Sequence, residues 1–172
     1  VPLSILEGQD FMMTYEARLL ETGLFIKYKI ESELPSVLGL HYYYSLEGKG
    51  VILGKVKSCY REQHEWKSIK EEWKDNHPSH ITFPVNQEAD YGFVPIKKCP
   101  TDHDYHLIFD GAKYSLHFDF NTASNKEISF QIFRPTKSSY LCIEPISANN
   151  PFRPQLKENT LEVKIEIFPA LH

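Results

Sequence analysis

The sequence is poor in the features that mark the more specialised protein classes. It has only three cysteines, Cys59, Cys99 and Cys142, an odd number at wide spacing and without a C-x-x-C pair. That argues against a disulfide framework and for free buried thiols in a reducing compartment, with the cytoplasm as the expected location. No apolar run approaches the roughly 18 residues that a membrane-spanning helix needs. The opening Val1-Pro2-Leu3-Ser4 lacks the basic start and long apolar stretch of a secretory signal. There is no excess of one charge either: 19 basic residues stand against 23 acidic ones, with no block of like sign. The chain therefore has no electrostatic footprint for nucleic acid or an anionic membrane. A chain of this length buries roughly 70% of the surface its unfolded form exposes, so folding requires no disulfide or metal. There is no initiator Met, and the expectation is a chain that begins inside a longer protein.

What the sequence does have is aromatic residues and alternation. Ten Tyr, eleven Phe and two Trp favour strands over helices. Leu24, Ile26, Tyr28 and Ile30 alternate with Phe25, Lys27 and Lys29 after Glu21-Thr22-Gly23, which predicts a hairpin with a Gly turn. The same pattern predicts strands at Leu38–Ser45, Val51–Tyr60, Tyr105–Phe109, Lys113–Phe120, Glu127–Phe133, Tyr140–Glu144 and Thr160–Phe168. Gly111-Ala112 and Asn121-Thr122-Ala123-Ser124-Asn125 supply turns between three of them. One stretch departs from the pattern. Arg61–Asn76 places Trp66, Ile69 and Trp73 at i, i+3 and i+7, which predicts a short amphipathic helix ended by Pro78. The expected architecture is one mainly β domain over residues 1–172, an antiparallel β-sandwich with a single helical insertion.

Eight histidines raise the question of a metal. The pairs His77/His80 and His103/His106 have the spacing H-x-x-H but sit in turn-like or polar contexts, where solvated residues are the usual outcome. His117 alternates with Leu116 and Phe118 and reads as a residue on the polar face of a strand. His41 is different, because it is the one titratable group in the uncharged aromatic stretch VLGLHYYYSL and needs a partner there. A core imidazole bonded to the backbone is the plain alternative. Glu144 ends the apolar run Tyr140-Leu141-Cys142-Ile143 and precedes Pro145, so its carboxylate is either partnered or turned out to solvent. Side-chain alternation puts it on the face of Cys142.

These residues carry a family resemblance. GLHYYYSL resembles the G-x-H-P-Y-F-x-L element of the aldose 1-epimerase (galactose mutarotase) family. YLCIEPISANNPF with LKENTLEVKIEI resembles that family's closing element, and ADYGFVPI its acidic D-x-x-F element. The three occur in the family's order. The resemblance implies the family's β supersandwich and an isomerase that interconverts the α and β anomers of an aldose by acid/base ring opening. It assigns His41 as the acid and Glu144 as the base, each worth on the order of 10²–10⁴-fold, with Asp90 holding sugar hydroxyls. Asp102 and Asp104 are rivals for the role of Asp90. Among Tyr42, Tyr43 and Tyr44, which could stack on a sugar ring, Tyr43 is placed beside His41. No metal, nucleotide or redox cofactor is implied. Two positions depart from the family's pattern: Tyr42 replaces a proline, and Pro145 follows the glutamate. The family's sugar-binding arginine and second histidine have no counterpart. The expectation is therefore the C-terminal part of a longer protein, with exposed strands covered by a missing half or by self-association. The alternative function is a carbohydrate-binding module without turnover.

Overall fold

Alternation along Leu24–Ile30 is what a strand with one face turned to the core requires. In the computed structural model, which describes residues 10–77, 79–123 and 127–171, that segment lies in β2 (Gly23–Ser32), between β1 (Phe11–Leu19) and β12 (Glu158–Pro169). The remaining strands are β3 (Tyr43–Ser45), β4 (Gly50–Glu62), β5 (Glu65–Ser68), β6 (His80–Pro84), β7 (Ala89–Pro95), β8 (Tyr105–Gly111), β9 (Tyr114–Thr122), β10 (Ser129–Arg134) and β11 (Tyr140–Ile146). They form one continuous antiparallel sheet in the order β1-β2-β12-β9-β8-β4-β7-β10-β11-β3, with β5 and β6 attached to β4.

The sheet curls at β4. Residues 50–55 of that strand pair with β6 and β8, and its later residues pair with β5 and β7 after a register shift between Val56 and Tyr60. Such an irregularity bends a strand and increases its twist, which lets β4 belong to both layers of a sandwich. Ile26, Phe118, Phe120 and Val163 from one layer meet Phe93, Phe130, Ile132, Leu141 and Ile143 from the other, all fully buried. Ring contacts cross the gap, Phe120 to Phe130 at 6.3 Å and Tyr44 to Phe118 at 5.4 Å. Each such side chain contributes about 1.5–3 kcal/mol on burial.

Three expectations need correction. The helical insertion over Arg61–Asn76 shrinks to one 3-10 turn, Glu71–Trp73; the residues before it continue β4, reverse, and form β5. The reversal falls at Gln63-His64, with Gln63 at φ 54°, the left-handed region that two-residue hairpins demand. Ile69 and Trp73 are buried as a helix face would be, but Trp66 is 41% exposed. The long strand over Leu38–Ser45 is regular only from Tyr43. Leu40 donates to the Pro145 carbonyl at 3.1 Å, but proline has no N–H to return, so the ladder is interrupted there and resumes at the Gly39–Ile146 bridge. The cysteines are not uniformly buried: Cys142 is, Cys59 is half-buried and Cys99 is exposed. Pro78 and the turn residues Ser124 and Asn125 lie outside the described residues. Among the described residues β1 pairs only with β2 and is exposed along its whole length, with Met12, Met13 and Tyr15 more than half exposed.

Candidate active site

The side of the β4-β7-β10-β11-β3 layer that faces away from the core carries Arg61, Asp90, Gln131, Glu144 and His41. Register aligns Arg61 with Gly92, Gly92 with Gln131, and Gln131 with Glu144, in one row across four strands. The Cys142–Tyr43 pair and the Gly39–Ile146 bridge place His41 opposite Glu144 at the end of that row. Two residues along, Asp90, Phe133, Cys142 and Tyr43 form the next row on the same face. Tyr42 and Tyr44, of opposite parity, pack against the core.

His41 Nε2 lies 3.2 Å from Glu144 Oε1. The Glu144 side chain is 14% exposed and that of His41 50%, so the pair is closed on the protein side and open to solvent on the other. Burial pushes the Glu144 carboxyl above its ordinary value, the facing imidazole pulls it partly back, and the charge of Asp90 adds to the rise. The Tyr43 ring centroid is 5.2 Å from that of His41 and the side chain is freely exposed, leaving an aromatic surface beside the pair. Of the rival acids, Asp90 shares this face. Asp102 instead accepts from the Cys99 N–H, and Asp104 from Asn121 Nδ2, which ties both into the loop before β8.

Three residues of the site escaped the sequence reading. Gln131 donates from Nε2 to Asp90 and accepts from Arg61 Nη2 at 2.6 Å, and so fixes both. Arg61 is 5% exposed and donates from Nη1 to the Gln63 carbonyl at 3.0 Å, while Phe152 covers its guanidinium at 5.0 Å. Burial pulls its pKa down from the usual arginine value and Asp90 opposes the shift. Gly92 is the third. A Cβ there would stand 2.6 Å from Arg61 Nη2 and 2.8 Å from Gln131 Oε1, so the absent side chain is the space this hydrogen bond occupies. The one sequence signal was Gln131 itself, a lone amide in the apolar strand Phe130–Phe133. Gly92→Ala should break the Arg61–Gln131 bond and leave a buried donor short of a partner, at a cost of about 1–3 kcal/mol. The expected readout is a lower Tm with native circular dichroism; an unchanged Tm would show that the row has room to spare.

The other histidines do other things. His77 Nδ1 lies 3.1 Å from Ser79 Oγ, and His106 is bonded to Asp119. His80, His106 and His117 line a separate groove of about 450 Å³ with Lys55, Lys98 and Asp119, which shares no residue with the His41–Glu144 face. Its lining carboxylate, Asp119, is bonded to His106.

No family model matches the chain, and no curated protein matches it by sequence. Solved structures do match. A candidate aldose 1-epimerase from Escherichia coli aligns at 16% identity and a TM-score of 0.63, over 94% of this chain and 62% of that one. A galactose mutarotase-like protein from Lactobacillus casei aligns at 11% identity and 0.64, over 95% and 66%. A galactose mutarotase-like protein from Clostridium acetobutylicum gives 13% and 0.64, over 94% and 57%. The chain has the galactose mutarotase-like fold and spans about three fifths of the length of these structures. Among the described residues, no helix is long and apolar enough to cross a membrane.

Proposed function

We propose that the His41–Glu144 pair interconverts the anomers of an aldose, as an aldose 1-epimerase does. The observation that carries this reading is the 3.2 Å contact between imidazole and carboxylate on an open face, with burial raising the carboxyl's pKa. The reaction needs a base at the anomeric hydroxyl and an acid at the ring oxygen, and these two oxygens share one carbon. Two groups this close can therefore address both at once. Glu144 takes the hydroxyl proton while His41 gives a proton to the ring oxygen. The C1–O bond of the ring breaks with its electron pair on that oxygen, and a free aldehyde forms. Rotation about C1–C2 and reversal of both transfers close the other anomer. No atom or electron is gained or lost, and the protein ends with its protons as they began.

The Gln131–Asp90 pair supplies hydrogen-bonding groups for ring hydroxyls, and Tyr43 an apolar platform for a sugar face. Residues outside this chain complete the sugar's surroundings, a reading supported by the exposed β1 edge and by the chain's partial span of its structural neighbours. Polarimetry of freshly dissolved α-D-galactose and α-D-glucose, with this chain and with the full-length product, tests both statements. Faster exchange with the full-length product is expected. Equal rates would refute the need for further residues, and sugar binding with no exchange by either would favour the binding-module reading.

The pH dependence follows from the direction of the Glu144 shift. Only the carboxylate form accepts the hydroxyl proton, so activity should rise with pH through the raised Glu144 value, above the ordinary 4.5. An acidic limb at or below 4.5 in kcat/KM would remove Glu144 as the base.

A further inference from the structure

Cys142 takes no part in the proposed proton transfers, yet it is fully buried on the same face of β11 as Glu144, two residues away. The imidazole nitrogen of His41, Sγ of Cys142 and a carboxylate oxygen of Glu144 all lie within 4.8 Å of one another. We propose that these three side chains form a binding site for a thiophilic divalent cation, represented by Zn²⁺, and that a bound ion silences the His41–Glu144 pair.

The spacing is suited to such an ion. With Zn–N and Zn–O bonds of about 2.0–2.2 Å and tetrahedral angles, two ligand atoms on one ion stand roughly 3.3 Å apart. His41 Nε2 and Glu144 Oε1 stand at 3.2 Å. Two of the three donors are thus already at the distance one ion sets, and the sulfur lies within 4.8 Å of both. The chemistry of the donors selects the cation. One nitrogen, one sulfur and one oxygen are the ligand types of zinc sites, and three protein ligands leave the fourth position open. Ca²⁺ and Mg²⁺ prefer all-oxygen shells and gain nothing from a thiolate.

The backbone holds the donors where they are. Cys142 and Glu144 are fixed by the β10–β11 ladder on one side, and Cys142 by its pairing with Tyr43 on the other. Phe133, opposite Cys142, sets its ring centroid 6.4 Å from that of His41. Entry is from the half-exposed His41 side. An ion seated there occupies the lone pair of Nε2 and the oxygen of Glu144 together, so neither the acid nor the base remains available. The silencing rests on the proposed function; the binding does not.

The test separates the two. Co²⁺ is titrated into the full chain carrying Cys59→Ala and Cys99→Ala, which removes the two other thiols. A thiolate-to-cobalt charge-transfer band should saturate at one ion per chain and be displaced by Zn²⁺. Adding Cys142→Ala or Cys142→Ser should abolish the band and weaken Zn²⁺ binding by at least the 10–100-fold that loss of even an outer partner of a metal ligand costs. Circular dichroism of the Ser variant controls for folding. No band, or a band that survives removal of Cys142, overturns the site. Where anomer exchange is measurable, Zn²⁺ should slow it reversibly in the parent, with recovery on adding a chelator, and the response should be lost with Cys142→Ser. Stoichiometric binding with an unaltered exchange rate overturns the silencing and leaves the site standing. Absence of exchange in both this chain and the full-length product would count against the proposed function, while the cobalt titration still decides the site.

Discussion

Glu144→Gln should slow anomer exchange by on the order of 10²–10⁴-fold, the range one positioned base supplies, while leaving the protein folded with a Tm at neutral pH no lower than the parent's. The two halves of this result have one origin. Burial raises the Glu144 carboxyl above its unfolded value, so between the two values the native state binds more protons than the unfolded chain. Stability then falls as pH rises through that window, and at neutral pH the ionised carboxylate is a net cost to the fold, reduced by His41. The amide keeps the shape and can still meet His41 Nε2, but carries no charge to desolvate. A residue kept for structure behaves in the opposite way, with Tm falling on substitution and activity falling only as the protein unfolds. Plotting Tm against pH for both proteins checks the sign: the parent should lose stability relative to the Gln variant as pH rises above 4.5.

The second large effect belongs to the fold. Trp73→Ala should cost about 3–5 kcal/mol, the usual range for deleting a large buried aromatic, which for a chain of this size lowers Tm by roughly 10 °C or more. The Trp73 ring is fully buried and contacts Tyr60 at 4.9 Å, Phe83 at 4.9 Å, Tyr91 at 5.2 Å and Phe93 at 6.2 Å. It plugs the corner where β4, β6 and β7 meet. Trp66→Ala, on the exposed strand β5, should stay within about 0.5 kcal/mol. Equal, large losses at both positions would restore the amphipathic helix; thermal unfolding of the two variants distinguishes the cases.

The strands were legible wherever one face is buried and the other wet, because period-two alternation records that directly. β2, β9 and β12 emerged within a few residues of their observed ends for this reason. The region around Trp66, Ile69 and Trp73 differs from the expected helix because the end of a strand followed by a 3-10 turn can bury two residues four apart, Ile69 and Trp73, while Trp66 stays exposed. The reversal at Gln63-His64 also lacks the Asn-Gly or Asp-Gly signature that would have revealed it. His41 and Glu144 stood out because a titratable group in an apolar strand demands a partner. That they face each other depends on the β3–β11 register, which no local pattern encodes. Arg61 was hidden for a related reason: its burial follows from Gly92 and Gln131, distant in sequence and aligned with it only by the sheet. Cys142 was visible as a neighbour of Glu144, but its nearness to His41 is again a matter of register.

The central claim, that His41 and Glu144 act together on an anomeric centre, is tested most directly by magnetisation exchange between the α and β anomers of D-galactose and D-glucose. The measurement is made at equilibrium with the parent protein, with Glu144→Gln and with His41→Asn. Protein-dependent exchange above the uncatalysed rate is expected in the parent, lost in both variants while each retains the parent's circular dichroism. Exchange that persists undiminished in folded Glu144→Gln would contradict it.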